Sequence, residues 1–280
     1  MSNYYCLVAG LPDVAFDGGK PAFSVERFKE EVCPQLSASD AVAVELFFLE
    51  RDNANMLNIL RNGEEADIDG LGCYSRSELL EIMEGARNGD APVKGVPSYI
   101  YKFFELYAKN EGSENVIWED VLSSCYYEYA TKCKNRFVAD WFTFNLNVNN
   151  ILVAMSARKY RMSVADAVIG DGEVAEALRN SGARDFGLTG TVDYLETLQR
   201  LCENPRLQER EHQLDELRWQ WLDDNSVFNY FSVERLFVFL VKLSIIERWA
   251  KLDAESGMVK YNELIAQLKS GMDSHSIEVK

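Results

Sequence analysis

VAVELFFLERDNANMLNILR, residues 42–61, places apolar side chains at Val42, Val44, Leu46, Phe47, Leu49, Met56, Leu57, Ile59 and Leu60. Recurrence every three to four positions is the period of an α-helix with one buried face. The spacing predicts a long helix, or a kinked pair, from Ser39 onward. A second stretch, FTFNLNVNNILVAMSARKYR at residues 142–161, echoes the first. Phe47, Leu49, Asp52, Asn55, Met56 and Leu57 are answered by Phe142, Phe144, Asn147, Asn150, Ile151 and Leu152 at a constant offset. Basic residues follow in both, Arg61 in one and Arg158, Lys159 and Arg161 in the other. Gly70 and Gly72 then lead into Glu78-Leu79-Leu80, as Gly170 and Gly172 lead into Glu176-Ala177-Leu178. Helix, Asn, cation, Gly-rich turn and helix in one order, twice, are the signature of an internal repeat. Asn, Arg and Gly are also ordinary ways of ending helices, so chance explains part of the pattern.

Working outward, Ser24 is placed to cap a helix reaching Val32, and Ser75-Arg76-Ser77-Glu78 has the spacing of a capping box. The first ten residues fit either a short strand or the first turn of a helix. Gly85 to Pro97 reads as a linker, and Ser98 opens an aromatic helix through Tyr107. A helical stretch from Trp118 to Arg161 is expected to be weakest at Asn145 to Asn150, and Ser163 is a candidate cap for the next start. Thr191 to Leu268 is helix-period throughout, with breaks at Asn204-Pro205, at Asp223 to Asn225 and near Gly257. The expected fold is all-α, in multi-helix bundles built from about three related repeats, with units of about 1–95, 96–185 and 186–280.

Composition narrows the function classes. A formal charge of -16 disfavours nucleic acid, whose phosphates are bound by Lys and Arg, and favours basic partners. No basic stretch precedes an apolar N-terminal run, and no apolar run approaches the roughly 20 residues that span a bilayer. The longest, Leu236 to Leu243, contains Lys242 and reads as a core helix of a cytosolic protein. Cys6, Cys33, Cys73, Cys125, Cys133 and Cys202 form no close pair, so reduced thiols are expected, with no metal site and no cofactor. Phosphate-binding, dinucleotide, zinc-protease and serine-hydrolase motifs are absent, and His212 and His275 lack a setting for acid–base chemistry.

The two Asn-centred stretches resemble the C/d family of stalk components in archaeal and vacuolar-type rotary ATPases. That family is built from helical repeats in which Asn-Ile or Asn-Leu leads to a basic segment and a Gly-containing turn. Tyr230-Phe231-Ser232-Val233-Glu234-Arg235-Leu236-Phe237 is similar to the opening of its third repeat, although Ser232 replaces the family's Gly, Arg235 its Pro, and the third Asn is missing. The whole chain also resembles a bacterial family whose genes accompany such ATPase operons. The resemblance implies a non-catalytic central-stalk subunit that links the rotating stalk to the membrane rotor ring. Its partners would be other rotary-ATPase subunits, and its location peripheral on the inner face of the cell membrane.

Individual residues carry two readings each. Asn55 and Asn150 fit helix-end or buried amides that satisfy backbone groups. Arg61, Arg158 and Arg161 fit either contacts to acidic partners or solvated helix ends. Glu234, within an apolar segment, needs a partner such as Arg235 or a distant Arg, or a place at the helix surface. The alternatives to a stalk subunit are a general helical scaffold, or an enzyme whose acidic helical pocket would use Asp52, Glu234 and Asp140.

Overall fold

The computed structural model describes residues 4–16, 18–19, 21–110 and 116–253. Among them the regular structure is entirely helical, and the protein is all-α. The N-terminal segment is a helix, α1 (Tyr5–Gly10). In α2 (Val25–Glu31) the Ser24 hydroxyl accepts from the Arg27 N–H at 3.0 Å, the expected cap. A 3₁₀ turn at Cys33–Gln35 leads to α3 (Ala38–Asn62), one continuous helix of 25 residues capped by Ser37 rather than starting at Ser39. In α4 (Arg76–Asn88) both halves of the capping box form, with Ser75 N–H donating to Glu78 at 2.8 Å.

Three further boundaries differ from the sequence reading. α4 continues through Gly85 and stops at Gly89, whose φ of +75° is the left-handed conformation that glycine adopts without strain, so the linker starts later than expected. The stretch from Trp118 divides into α6 (Trp118–Ala130) and α7 (Arg136–Lys159), following α5 (Ser98–Lys109). Asn145 to Asn150, expected to be the weak point, lie in the middle of α7. Their amides bond instead of disrupting: Asn145 donates to the Trp141 carbonyl at 2.9 Å, and Asn149 donates to the Tyr127 hydroxyl on α6 at 3.2 Å. After α8 (Val164–Ala167), capped by Ser163, come α9 (Glu173–Asn180), α10 (Leu195–Glu203) and α11 (Leu207–Ser226). α11 runs straight through Asp223 to Asn225, and the break falls at 227–232 instead. The last described helix, α12, covers 233–253. Gly257 and His275 lie outside the described residues.

α12 explains why Leu236 to Leu243 is so apolar. Phe237, Val238, Val241 and Ile245 join a large core shared with α3 to α11, while Val233, Leu236, Phe239, Leu240 and Leu243 join a second core. That second core is completed by Val25 and Phe28 of α2 and by Val44 and Phe48 of α3. A helix apolar on all sides is a buried helix, and each such side chain contributes about 1.5–3 kcal/mol. The early helix α2 thus closes over the late helix α12. Glu247 fastens them, accepting from the Val25 N–H at the start of α2 at 3.0 Å.

Charge is also buried here. Asp215 on α11, 2% exposed, accepts from Trp249 Nε1 at 2.8 Å and from Arg218 at 3.2 Å, and it pairs with Arg248. Lys242 is buried, donating to Asp223 at 2.5 Å and lying 4.3 Å from the centre of the Trp219 ring. Burial lowers its pKa, and Asp223 opposes the shift.

Candidate functional site

The two Asn residues of the echo make the same pair of bonds. Asn55 donates to the Asp69 carbonyl at 3.0 Å and accepts from the Asp69 N–H at 2.8 Å. Asn150 donates to the Ile169 carbonyl at 2.8 Å and accepts from the Ile169 N–H at 3.1 Å. An amide presents a donor and an acceptor side by side, so one side chain satisfies both polar groups of one backbone residue. In each case the clamped residue immediately precedes a glycine of the Gly-rich turn, Gly70 or Gly170. A cation then caps the turn from elsewhere: Lys29 of α2 bonds the Gly70 and Gly72 carbonyls, and Arg179 of α9 bonds the Gly170 carbonyl at 2.7 Å. The glycines themselves are tied to this geometry. A Cβ on Gly72 would stand 2.2 Å from Asp52 Oδ1, and Gly170 holds φ at +77°.

The cations of the echo are used within the chain. Arg61 pairs with Glu119 of α6, both side chains half exposed. Arg158 donates to the Ser181 carbonyl at 2.6 Å, bonds the Ala183 carbonyl, and lies 3.5 Å from the centre of the Phe186 ring. Arg161 follows α7 at a φ of 60°, with its side chain exposed.

Glu234 lines a cleft. Its carboxylate accepts from Asn135 Nδ2 at 2.7 Å, so its partner is an amide rather than an arginine. Asn135 simultaneously caps α7, accepting from the Val138 N–H at 3.1 Å. Around these residues lies an open cleft of about 580 Å³, lined by the beginnings of three long helices: Ser39 and Asp40 of α3, Asn135 to Phe137 and Asp140 at α7, and Ser232 to Glu234 at α12. Trp221, Asn225 and Asn229 complete it from α11 and the loop that follows. Tyr4 stitches two of the helix beginnings together. Its hydroxyl donates to Asp40 at 2.7 Å and accepts from the Ser37 N–H at 2.9 Å, and its own N–H donates to the Phe231 carbonyl at 2.8 Å. Ser37, Asn135 and Ser232 thus precede the three long helices at intervals of 98 and 97 residues. Cap residues before apolar runs are a readable signal, and that near-constant interval was available in the sequence.

The three carboxylates of the enzyme reading do not converge. Glu234 and Asp140 share the cleft, and Asp140 pairs with Arg136 at 3.6 Å. Asp52 does not line it: fully buried, it accepts from the Cys73 N–H at 2.6 Å and the Tyr74 N–H at 3.3 Å. Burial raises the Asp52 pKa, and those N–H groups oppose it. The aromatic residues divide. Tyr126, Trp141 and Phe142 are core, whereas Phe228 and Tyr230, beside the cleft, are 89% and 66% exposed. Among the described residues no group of three or more His, Cys, Asp or Glu is placed to hold a metal ion, and the six cysteines are free thiols.

One carboxyl titrates near neutrality. Part of the Glu50 side chain on α3 is exposed, but desolvation of its carboxyl by the surrounding protein raises its pKa to about 7, against the pull of Arg218 and Arg51. A carboxyl raised in the folded state favours folding below its unfolded pKa, and that contribution is lost as pH rises through about 7. Glu50→Gln is therefore expected to raise the thermal midpoint relative to the parent protein at about pH 8 but not at about pH 4. An equal change at both would place the Glu50 pKa in the ordinary carboxylate range.

No curated protein and no solved structure matches the chain. A family model described as "Protein of unknown function (DUF2764)" matches residues 1–272, and the chain belongs to that family.

Proposed function

We propose that the protein is a non-catalytic central-stalk subunit of a V/A-type rotary ATPase, joining the rotating stalk to the membrane rotor ring. The supporting observation is that three long helices begin around one cleft at near-equal intervals along the chain, two of them carrying an Asn that clamps a Gly-rich turn in the same way. Those features coincide with the residues that resemble the C/d stalk family. Torque transmission needs a stiff body with separate surfaces for two partners, and helices locked by buried clamps provide stiffness without an active site. No helix among the described residues is long and apolar enough to cross a membrane, so attachment to the inner face of the cell membrane would be peripheral, through partner subunits.

Cells lacking the protein are expected to keep ATP hydrolysis by the catalytic head while ATP-driven ion transport in inverted membrane vesicles falls to background. Unimpaired transport would contradict the reading. Because Glu234 and Asp140 share one cleft, a small-molecule enzyme is the second reading. It gains if ion transport is intact and Glu234→Gln abolishes a reaction of the purified protein.

A further inference from the structure

The loop at 227–231 exposes Val227, Phe228, Tyr230 and Phe231, and Tyr5 packs on Phe231 with ring centroids 4.6 Å apart. It is not a loose tip. The Tyr4 N–H holds the Phe231 carbonyl, and Tyr4 is itself bonded to the start of α3. Contiguous exposed aromatics on an anchored segment are the usual composition of an interaction surface. This surface is continuous with the cleft, because Asn229 and Ser232 of the same connection line it.

The cleft itself specifies an occupant. Its volume, about 580 Å³, is close to that of one helical turn, which at a 5.4 Å pitch and 10–12 Å diameter fills roughly 400–600 Å³. Its lining offers unused donors. The Ser232 hydroxyl is buried with no hydrogen-bond partner among the described residues, and the exposed Lys134 lines the cleft beside it. It also offers acceptors in the Glu234 and Asp140 carboxylates. A helix C-terminus matches both needs: its last four carbonyls lack partners, and Lys or Arg in its last turn complements the dipole.

We propose that this cleft and the adjoining loop receive the C-terminal end of an amphipathic helix of another protein. Its last-turn cations meet Glu234 and Asp140, and its aliphatic face lies on Phe228 and Tyr230. The net charge of -16 favours the same cationic partner and opposes an anionic membrane. The inference rests on the stalk reading only for the idea that the cleft takes a protein.

The test uses the full chain and two labelled, N-acetylated helical peptides of one composition, about 18 residues long with one aliphatic stripe. One carries its Lys and Arg residues in the last turn, the other in the first. The expected result in fluorescence anisotropy is saturable binding of the first peptide, weakened at least about tenfold by Phe228→Ser with Tyr230→Ser, by Glu234→Gln with Asp140→Asn, and by reversing the basic turn. Equal binding of both peptides, indifference to the substitutions, or no binding up to about 1 mM would overturn the proposal. So would recruitment of the chain by phosphatidylcholine–phosphatidylserine vesicles that Phe228→Ser abolishes, which would assign the loop to lipid. Because no rotary-ATPase subunit takes part, any of these failures leaves the stalk reading to its own experiment.

Discussion

Asn55→Leu and Asn150→Leu are each expected to lower the unfolding free energy by about 2–6 kcal/mol, because each strands one backbone N–H and one carbonyl in a part-buried turn at about 1–3 kcal/mol per group. Leucine preserves the volume, so the loss reports the clamp rather than a cavity. Asn→Asp at either position keeps the acceptor for the N–H but loses the donor to the carbonyl, and is expected to fall between the two. Chemical denaturation measures the totals, and hydrogen exchange locates them. The Asp69 amide should lose protection in the first variant and the Ile169 amide in the second, each without the other. The clamps share no partner, so the double variant should be additive to within about 0.5 kcal/mol. A cost below about 0.5 kcal/mol at one site and full cost at the other would mean that the two turns are not held alike.

Asp215→Ala is expected to cost about 3 kcal/mol. Its carboxylate holds the Trp249 N–H and two arginines across α11 and α12, and removing one member of a buried charge cluster leaves the rest unpaired. Arg248 is 45% exposed and can turn to water, which places the cost at the lower end of the usual range, whereas Arg218 and the indole cannot easily do so. For a chain this long the thermal midpoint should fall by about 6–12 °C. Asp215→Asn, which keeps one acceptor, should lose less. A midpoint unchanged by the alanine would show that α12 is held by its apolar faces alone.

Local chemistry made most of the helices legible. Ser24, Ser75 and Ser163 cap where their spacing says they should, because an N-cap bond spans three residues and needs nothing from elsewhere in the chain. The errors came where tertiary partners decided the outcome. Asn145 to Asn150 read as a weak point because asparagine competes with its own helix, but Tyr127, Arg218 and Ile169 supply partners that the sequence could not display. Glu234 required a partner and its residue type was misjudged, since Asn135 lies 99 residues away. The exposed face of the 227–231 loop was hidden for a different reason. Phe228, Tyr230 and Phe231 have the composition of core, and only the structure shows that little covers them.

The proposed place of this chain in a rotary ATPase is tested most directly by the subunit stoichiometry of the native complex isolated through a tag on the chain. Quantitative mass spectrometry of gently solubilised membranes is predicted to find the stalk and rotor-ring subunits together with a single copy of this protein per complex. Recovery of the protein free of those subunits, or of the complete ATPase lacking it, would contradict the account.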